Sequence, residues 1–207
     1  MAYILIADGS PTYPYSVDQL RADNPDTSFS AVIPDERLAD WGVFPVAQIA
    51  APEVEAGETA EEGAPALVDG VWTMSWIVRD RTPEELVAAK AAKLAAVKAQ
   101  RDMAIDAGVD VAGVGRFDSD PLSRANINGA VTGAMLAQGA GQPFAVNWKM
   151  QDNSIIALDG AGMIAVGLVV LGHVTACHEN AQAIGLAIDA AEDFDTLEAI
   201  DLADGWP

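Results

Sequence analysis

The sequence predicts an α+β protein. A small β-rich amino-terminal module is expected over residues 1–81, then a carboxy-terminal domain over 82–207 in which antiparallel hairpins alternate with helices. Three observations carry this. Turn dipeptides at Asp69-Gly70, Ala112-Gly113 and Asp152-Asn153 are flanked by short runs rich in Val, Trp, Phe and Ile, the pattern of hairpins. Two pairs, Thr82-Pro83 and Asp120-Pro121, combine an N-cap residue with proline at the first helical position. The resulting order of helix, hairpin, helix, hairpin, helix places helices on antiparallel hairpins rather than on a doubly wound parallel sheet.

Taken in order, residues 49–65 are rich in Ala, Glu, Gly and Pro and read as an acidic exposed loop or edge strand. Asp69-Gly70 then turns into the aromatic strand VWTMSWIV, and the segment 79–83 marks a boundary. A long helix is predicted over 83–107, with Thr82 as cap and Glu84 and Glu85 at the positive end of its dipole. Its larger apolar residues Val87, Leu94 and Val97 form a narrow stripe among alanines. Such a stripe packs within one domain or joins identical helices of other subunits, and fewer than four clean heptads favour the first. Val109, Val111, Val114 and Phe117 make a hairpin, and Asp120 opens the next helix. Phe144, Val146, Trp148 and Met150 alternate with polar or small residues, giving one strand of a second hairpin, with 154–158 as its return. An apolar helix over about 160–181 and a short amphipathic segment complete the chain.

With 207 residues, 51% hydrophobic and 20% charged, the chain can bury a core. Its 11 basic and 31 acidic side chains give a net charge of −20, which repels a phosphate backbone and argues against nucleic-acid partners. The positives are segregated: residues 83–149 hold 7 of them against 7 acids, while 150–207 hold none against 10 acids. Cys177, the single cysteine, excludes an internal disulfide and a multi-cysteine zinc site. The start MAYILIADGSPTYP lacks the charged-then-apolar form of a signal peptide, so export by that route is not expected.

Four constellations have a structural reading that outweighs the chemical one. IIALD followed by Gly160-Ala161-Gly162, Ala165 and, further on, Asp189 imitates a dinucleotide fingerprint, but Asp159 would face the pyrophosphate and the preceding strands read as hairpins. Residues 160–177 are uncharged over the length of a marginal membrane span. No Lys or Arg follows Lys149, so a buried helix and no span is the expectation. His173 and Cys177 stand one helical turn apart, with His178 rotated away, which is too few ligands for a metal. Asp118-Ser119-Asp120 could offer oxygens to a cation, but Asp120 is already needed as a cap. No nucleophile elbow, Walker loop or H-E-x-x-H motif occurs, and only two histidines are available for acid–base work. The sequence thus predicts no cofactor and a structural or interaction protein rather than an enzyme.

The stretch YPYSVDQLRADNPDTSFSAVIPDERLADWGVFPV resembles the amino-terminal module of tailed-bacteriophage tail-fibre and tail-fibre-assembly proteins. Gln19-Leu20-Arg21, Asp23-Asn24-Pro25, Thr27-Ser28-Phe29 and Gly42-Val43 carry the match, with Ser30 where that family usually has proline, and Asp69, Gly70, Trp72, Trp76 and Val78 continue it. The carboxy-terminal half is similar to an uncharacterised domain found on phage tail proteins, through Asp120, Ser123, Arg124, Trp148, Asn153 and His178. The resemblance implies a virion tail component assembled in the host cytoplasm, at the tail fibre or tail tip. It also implies a homotrimer that contacts other tail proteins, with host-receptor attachment as a further role. A fibre-assembly chaperone absent from the mature particle is the alternative. On this reading Val87, Leu94, Val97, Trp72 and Trp76 are interaction residues, while Asp120, Arg124, Trp148 and His178 are structural. Arg124 is expected to pair with Asp118 or Asp120.

Overall fold

A computed structural model describes residues 2–207. The protein is α+β, and the chain divides into two compact units that meet in sequence at Arg81 and Thr82.

In the first unit, β1 (Tyr3–Ala7) pairs antiparallel with β2 (Ser10–Tyr15) and with β3 (Val43–Pro45), so the sheet order is β2-β1-β3. Two short helices, α1 (Val17–Asp23) and α2 (Asp35–Ala39), fill the connection, and their Leu20 and Leu38 are buried with Tyr15 and Val43. β4 (Glu58–Val68) and β5 (Val71–Asp80) form a separate ribbon. Both turn residues, Asp69 and Gly70, have positive φ, which matches the right-handed twist of the flanking strands. The acidic stretch expected as loop or edge strand therefore becomes β4 from Glu58 onward. Gly42 has φ +69, and a Cβ there would stand 2.5 Å from the Ile6 carbonyl oxygen, so only glycine lets α2 turn into β3 beside β1.

Tyr15 donates to Asp23 Oδ2 at 2.6 Å. Burial first, and then that carboxylate, push the phenol up to about 12. A phenol held protonated in the fold contributes stability that is fully present below its ordinary value near 10 and is lost as pH rises through 12. Absorbance titration at 295 nm is expected to show a tyrosine ionising about two pH units late, and Tyr15→Phe to abolish that step.

The second unit opens with α3 (Pro83–Asp106). Thr82 Oγ1 accepts from the Glu85 N–H at 3.2 Å while Glu85 Oε2 accepts from the Thr82 N–H at 2.6 Å, a complete capping box. The hairpin β6 (Val109–Val111) and β7 (Gly115–Phe117) follows, then α4 (Pro121–Gly139), the hairpin β8 (Ala145–Lys149) and β9 (Ile155–Asp159), α5 (Gly160–Ala190) and α6 (Phe194–Glu198). Asp120 caps α4 through the Leu122 and Ser123 N–H groups, and the Ser123 hydroxyl first, then those backbone bonds, hold its carboxyl below the usual range.

α5 runs further than the sequence indicated. It buries Met163, Val166, Val170, His173, Cys177, Ile184 and Ile188, a spacing of threes and fours over most of its length. Continuous burial on one face outweighs the low helix propensity of Gly185, which lies against Leu94 of α3. On the other flank, a Cβ at Gly167 would stand 2.6 Å from Val131 Cγ2, so α4 packs on α5 where a side chain is missing. One core is built around Phe117, Ile127, Met163 and Val166 between α4, α5 and both hairpins. Another, around Val97, Ile184, Ile188 and Leu197, joins α3 to α5 and α6.

Candidate functional site

Two of the three α3 residues assigned to contacts between subunits are used inside the chain. Val97 is 3% exposed and Leu94 packs beside it against α5, so neither is presented to another copy. α5 and α6 meet α3 through Leu86, Ala89, Leu94 and Val97, while Ala88, Ala91, Ala92, Ala95, Ala96 and Ala99 stay exposed. Val87 is 68% exposed and stands apart from that core. Trp72 and Trp76, on the inner face of β5, are half-buried against Ile4, Val46 and Met74, and Trp76 Nε1 donates to the Ile49 carbonyl at 3.3 Å.

Arg124 does not pair with Asp118 or Asp120. Its Nη1 donates to Asp106 Oδ1 at 2.7 Å and also to the Ser119 carbonyl. The capping geometry explains this, since Asp120 already accepts from two backbone N–H groups and the Ser123 hydroxyl. Asp106, the last residue of α3, is brought in by the reversal of the chain through β6 and β7. Ser119 completes the junction, fully buried, accepting from the Gly108 N–H at 2.9 Å and donating to the Ile105 carbonyl at 2.5 Å. The Asp118-Ser119-Asp120 segment is thus a structural joint. Because Arg124 and Asp106 are 28% and 44% exposed, solvent screens the pair. Arg124→Ala is expected to lower stability by about 1–2 kcal/mol, chiefly through lost hydrogen bonds, as read by urea denaturation.

The histidine assigned to structure is also corrected. His178 is exposed, whereas His173 is buried and its Nε2 is 3.0 Å from the Ala104 carbonyl. Helical rotation decides it, because 173 and 177 share the buried stripe and 178 does not. Cys177 Sγ lies 3.9 Å from His173 Nε2, and burial pushes its thiol up, away from thiolate chemistry. Among the described residues no group of three or more His, Cys, Asp or Glu side chains converges as metal ligands would. Trp148 is half-buried beside Phe117, with ring centroids 6.3 Å apart. It also edges a surface pocket of about 400 Å³ shared with Asp118, Ser123, Asn126, Asn147 and Lys149.

The apparent nucleotide fingerprint is a helix start. Asp159 Oδ1 accepts from the Gly162 N–H at 2.7 Å, filling the position a phosphate would take, and AIGLAID continues α5 instead of forming a strand. α5 is long and apolar enough to cross a membrane, with a mean hydropathy of 1.8 in its most apolar window and 22% of that window buried.

Two lysines were missed as structural groups. Lys90 Nζ donates to the Asp189 carbonyl at 3.0 Å, and Lys93 Nζ donates to the Leu197 and Glu198 carbonyls at 2.5 and 3.3 Å. The last turns of α5 and α6 have no basic residue of their own, so α3 supplies positive charge to both negative ends. The segregation of positives into residues 83–149 was the available signal.

The second unit is therefore an α+β domain of two small hairpins and three long helices, in which α4, α5 and the hairpins enclose one core and α3, α5 and α6 another. Residues 88–204, more than half of the chain, match the domain of unknown function DUF4376, and the chain belongs to that family. No curated protein and no solved structure matches it.

Proposed function

We propose that this protein is a non-enzymatic structural component of a bacteriophage tail, at the fibre or the tail tip. It would assemble as a homotrimer in the host cytoplasm, contact other tail proteins and contribute to host attachment. The observation that carries the reading is the tail-protein phrase in residues 13–46, several of whose side chains hold the first unit together. Ser16 caps α1, Asn24 Nδ2 donates to the Leu20 carbonyl, and Arg21 Nη2 holds the following loop through the Ser30 and Ala31 carbonyls. Phe29 meets Trp41 edge to face at 5.2 Å. The phrase thus lies in a folded module, with a second unit after it for further contacts.

Quantitative mass spectrometry of purified phage particles tests this. The chain is expected in the particle at a fixed multiple of the tail's rotational symmetry. Its presence in the lysate with absence from the particle transfers the assignment to a fibre-assembly chaperone. Association with neither particles nor fibre proteins rejects the tail reading.

A further inference from the structure

The pocket beside Trp148 differs from its neighbours in what its polar groups are doing. In the pockets at Gly115 and Gly172, Arg116 is held by Asp110 and by two main-chain carbonyls, Gln151 donates to the Ala107 carbonyl and His173 is bonded to the Ala104 carbonyl. Around Trp148, by contrast, Asp118, Asn126, Asn147 and Lys149 are all exposed, and none of these side chains bonds to or pairs with another described residue. The Trp148 indole N–H is unspent as well. It meets no acceptor in the chain, and no buried side-chain nitrogen among the described residues lacks a partner, so it opens to solvent.

The main chain adds to this supply. The Met150 N–H donates to the Ser154 carbonyl at 2.9 Å, which continues the β8–β9 register and turns the main-chain groups of residues 146, 148 and 150 toward β9. Those of Asn147 and Lys149 point the other way, along an edge that no further strand covers. Donors and acceptors thus surround a small apolar surface, Trp148 with Val146, in a volume of about 400 Å³, within the range of small-ligand sites.

We propose that this pocket binds a neutral saccharide. Sugar hydroxyls both donate and accept, and the lining offers both through two amides, a carboxylate and an ammonium group. The C–H face of a sugar ring needs an apolar aromatic surface, and Phe117, 6.3 Å away between ring centroids, holds Trp148 in place for it. Charge narrows the class further. Asp118 and Lys149 cancel, so in a chain of net charge −20 this pocket favours neither an anion nor a cation. An extended peptide added to β8 is the poorer occupant. It would use the strand edge and leave Asp118 and Asn126 unspent, and a lysine on an edge opposes strand addition. The proposal rests on the lining of this pocket and does not depend on the tail reading.

The test is nuclear magnetic resonance of the nitrogen-15-labelled full chain, titrated with glucose, galactose, mannose, N-acetylglucosamine, lactose and maltose. Saturable binding of at least one of them, tighter than about 10 mM, is expected to shift the indole N–H signal that Trp148→Phe removes. Asp118→Ala and Asn126→Ala, which remove exposed side chains that bond to nothing in the chain, are each expected to weaken that binding at least five-fold. Gln138→Ala and Glu179→Ala, which remove exposed polar groups elsewhere, are expected to leave it unchanged. Absence of binding by every one of these sugars overturns the proposal, as does binding that spares the Trp148 signal or persists undiminished in the two folded pocket variants. Shifts of the Asn147 and Lys149 amides produced by an acetylated and amidated Thr-Val-Thr-Val-Thr peptide, and by none of the sugars, also overturn it and assign the edge of β8 to a peptide.

Discussion

Phe117→Ala is expected to destabilise the protein by about 3–5 kcal/mol, the range for emptying a fully buried phenylalanine site. The ring is 0% exposed, ends β7, and sits in the core shared by α4, α5 and both hairpins. Trp148 packs beside it on the other hairpin, so truncation opens a space that a strand-bound indole cannot fill without moving β8. For a domain of this size the loss corresponds to a fall in melting temperature on the order of 10 °C. Differential scanning calorimetry reads it directly. Phe117→Leu, which keeps most of the volume, is expected to recover more than half of the loss. Equal effects of Ala and Leu would mean that packing volume at this position is not what holds the hairpin to the helices.

Ser119→Ala is expected to cost about 2–4 kcal/mol although it removes one oxygen. That hydroxyl both accepts from the Gly108 N–H and donates to the Ile105 carbonyl, and the site is fully buried. Two backbone groups would lose a partner where water does not reach, at about 1–3 kcal/mol for each. The neighbouring Asp118 is exposed, so Asp118→Ala is expected to stay within about 0.5 kcal/mol. Urea denaturation of the two variants side by side separates a structural joint from an acidic cluster. A costly Asp118 and an inexpensive Ser119 would reverse the assignment of this segment. Native-state hydrogen exchange adds a local readout, because the Gly108 amide is expected to lose its protection in Ser119→Ala.

Much of the second unit was legible because its signals are local. Thr82, Asp120 and the turn at Asp152-Asn153 act on backbone groups within about three residues, so their roles follow from the sequence order alone. The alternation of Val146, Trp148 and Met150 likewise fixes which face of β8 turns inward. By contrast, the partner of Arg124 is Asp106, eighteen residues away, and nothing in the intervening sequence distinguishes it from the nearer Asp118. Lys90 and Lys93 reach carbonyls about a hundred residues further along the chain.

The sequence by itself determined the α+β class, the starts of α3, α4 and α5, the hairpin turns and the segregation of positive charge into residues 83–149. These depend on short-range hydrogen bonding and on composition, which survive in any arrangement of the elements. Only the tertiary structure decided which faces were consumed. Val87, Leu94 and Val97 share one narrow stripe of α3, yet α5 and α6 cover Leu94 and Val97 and leave Val87 to solvent. His173 and His178 differ in the same way, by the side of α5 that meets α3. A helix that is apolar all round has no amphipathic signal to say which side is core. That choice is made by its neighbours, here by Val131 settling over Gly167 and Leu94 beside Gly185, where the absence of a side chain lets another helix approach.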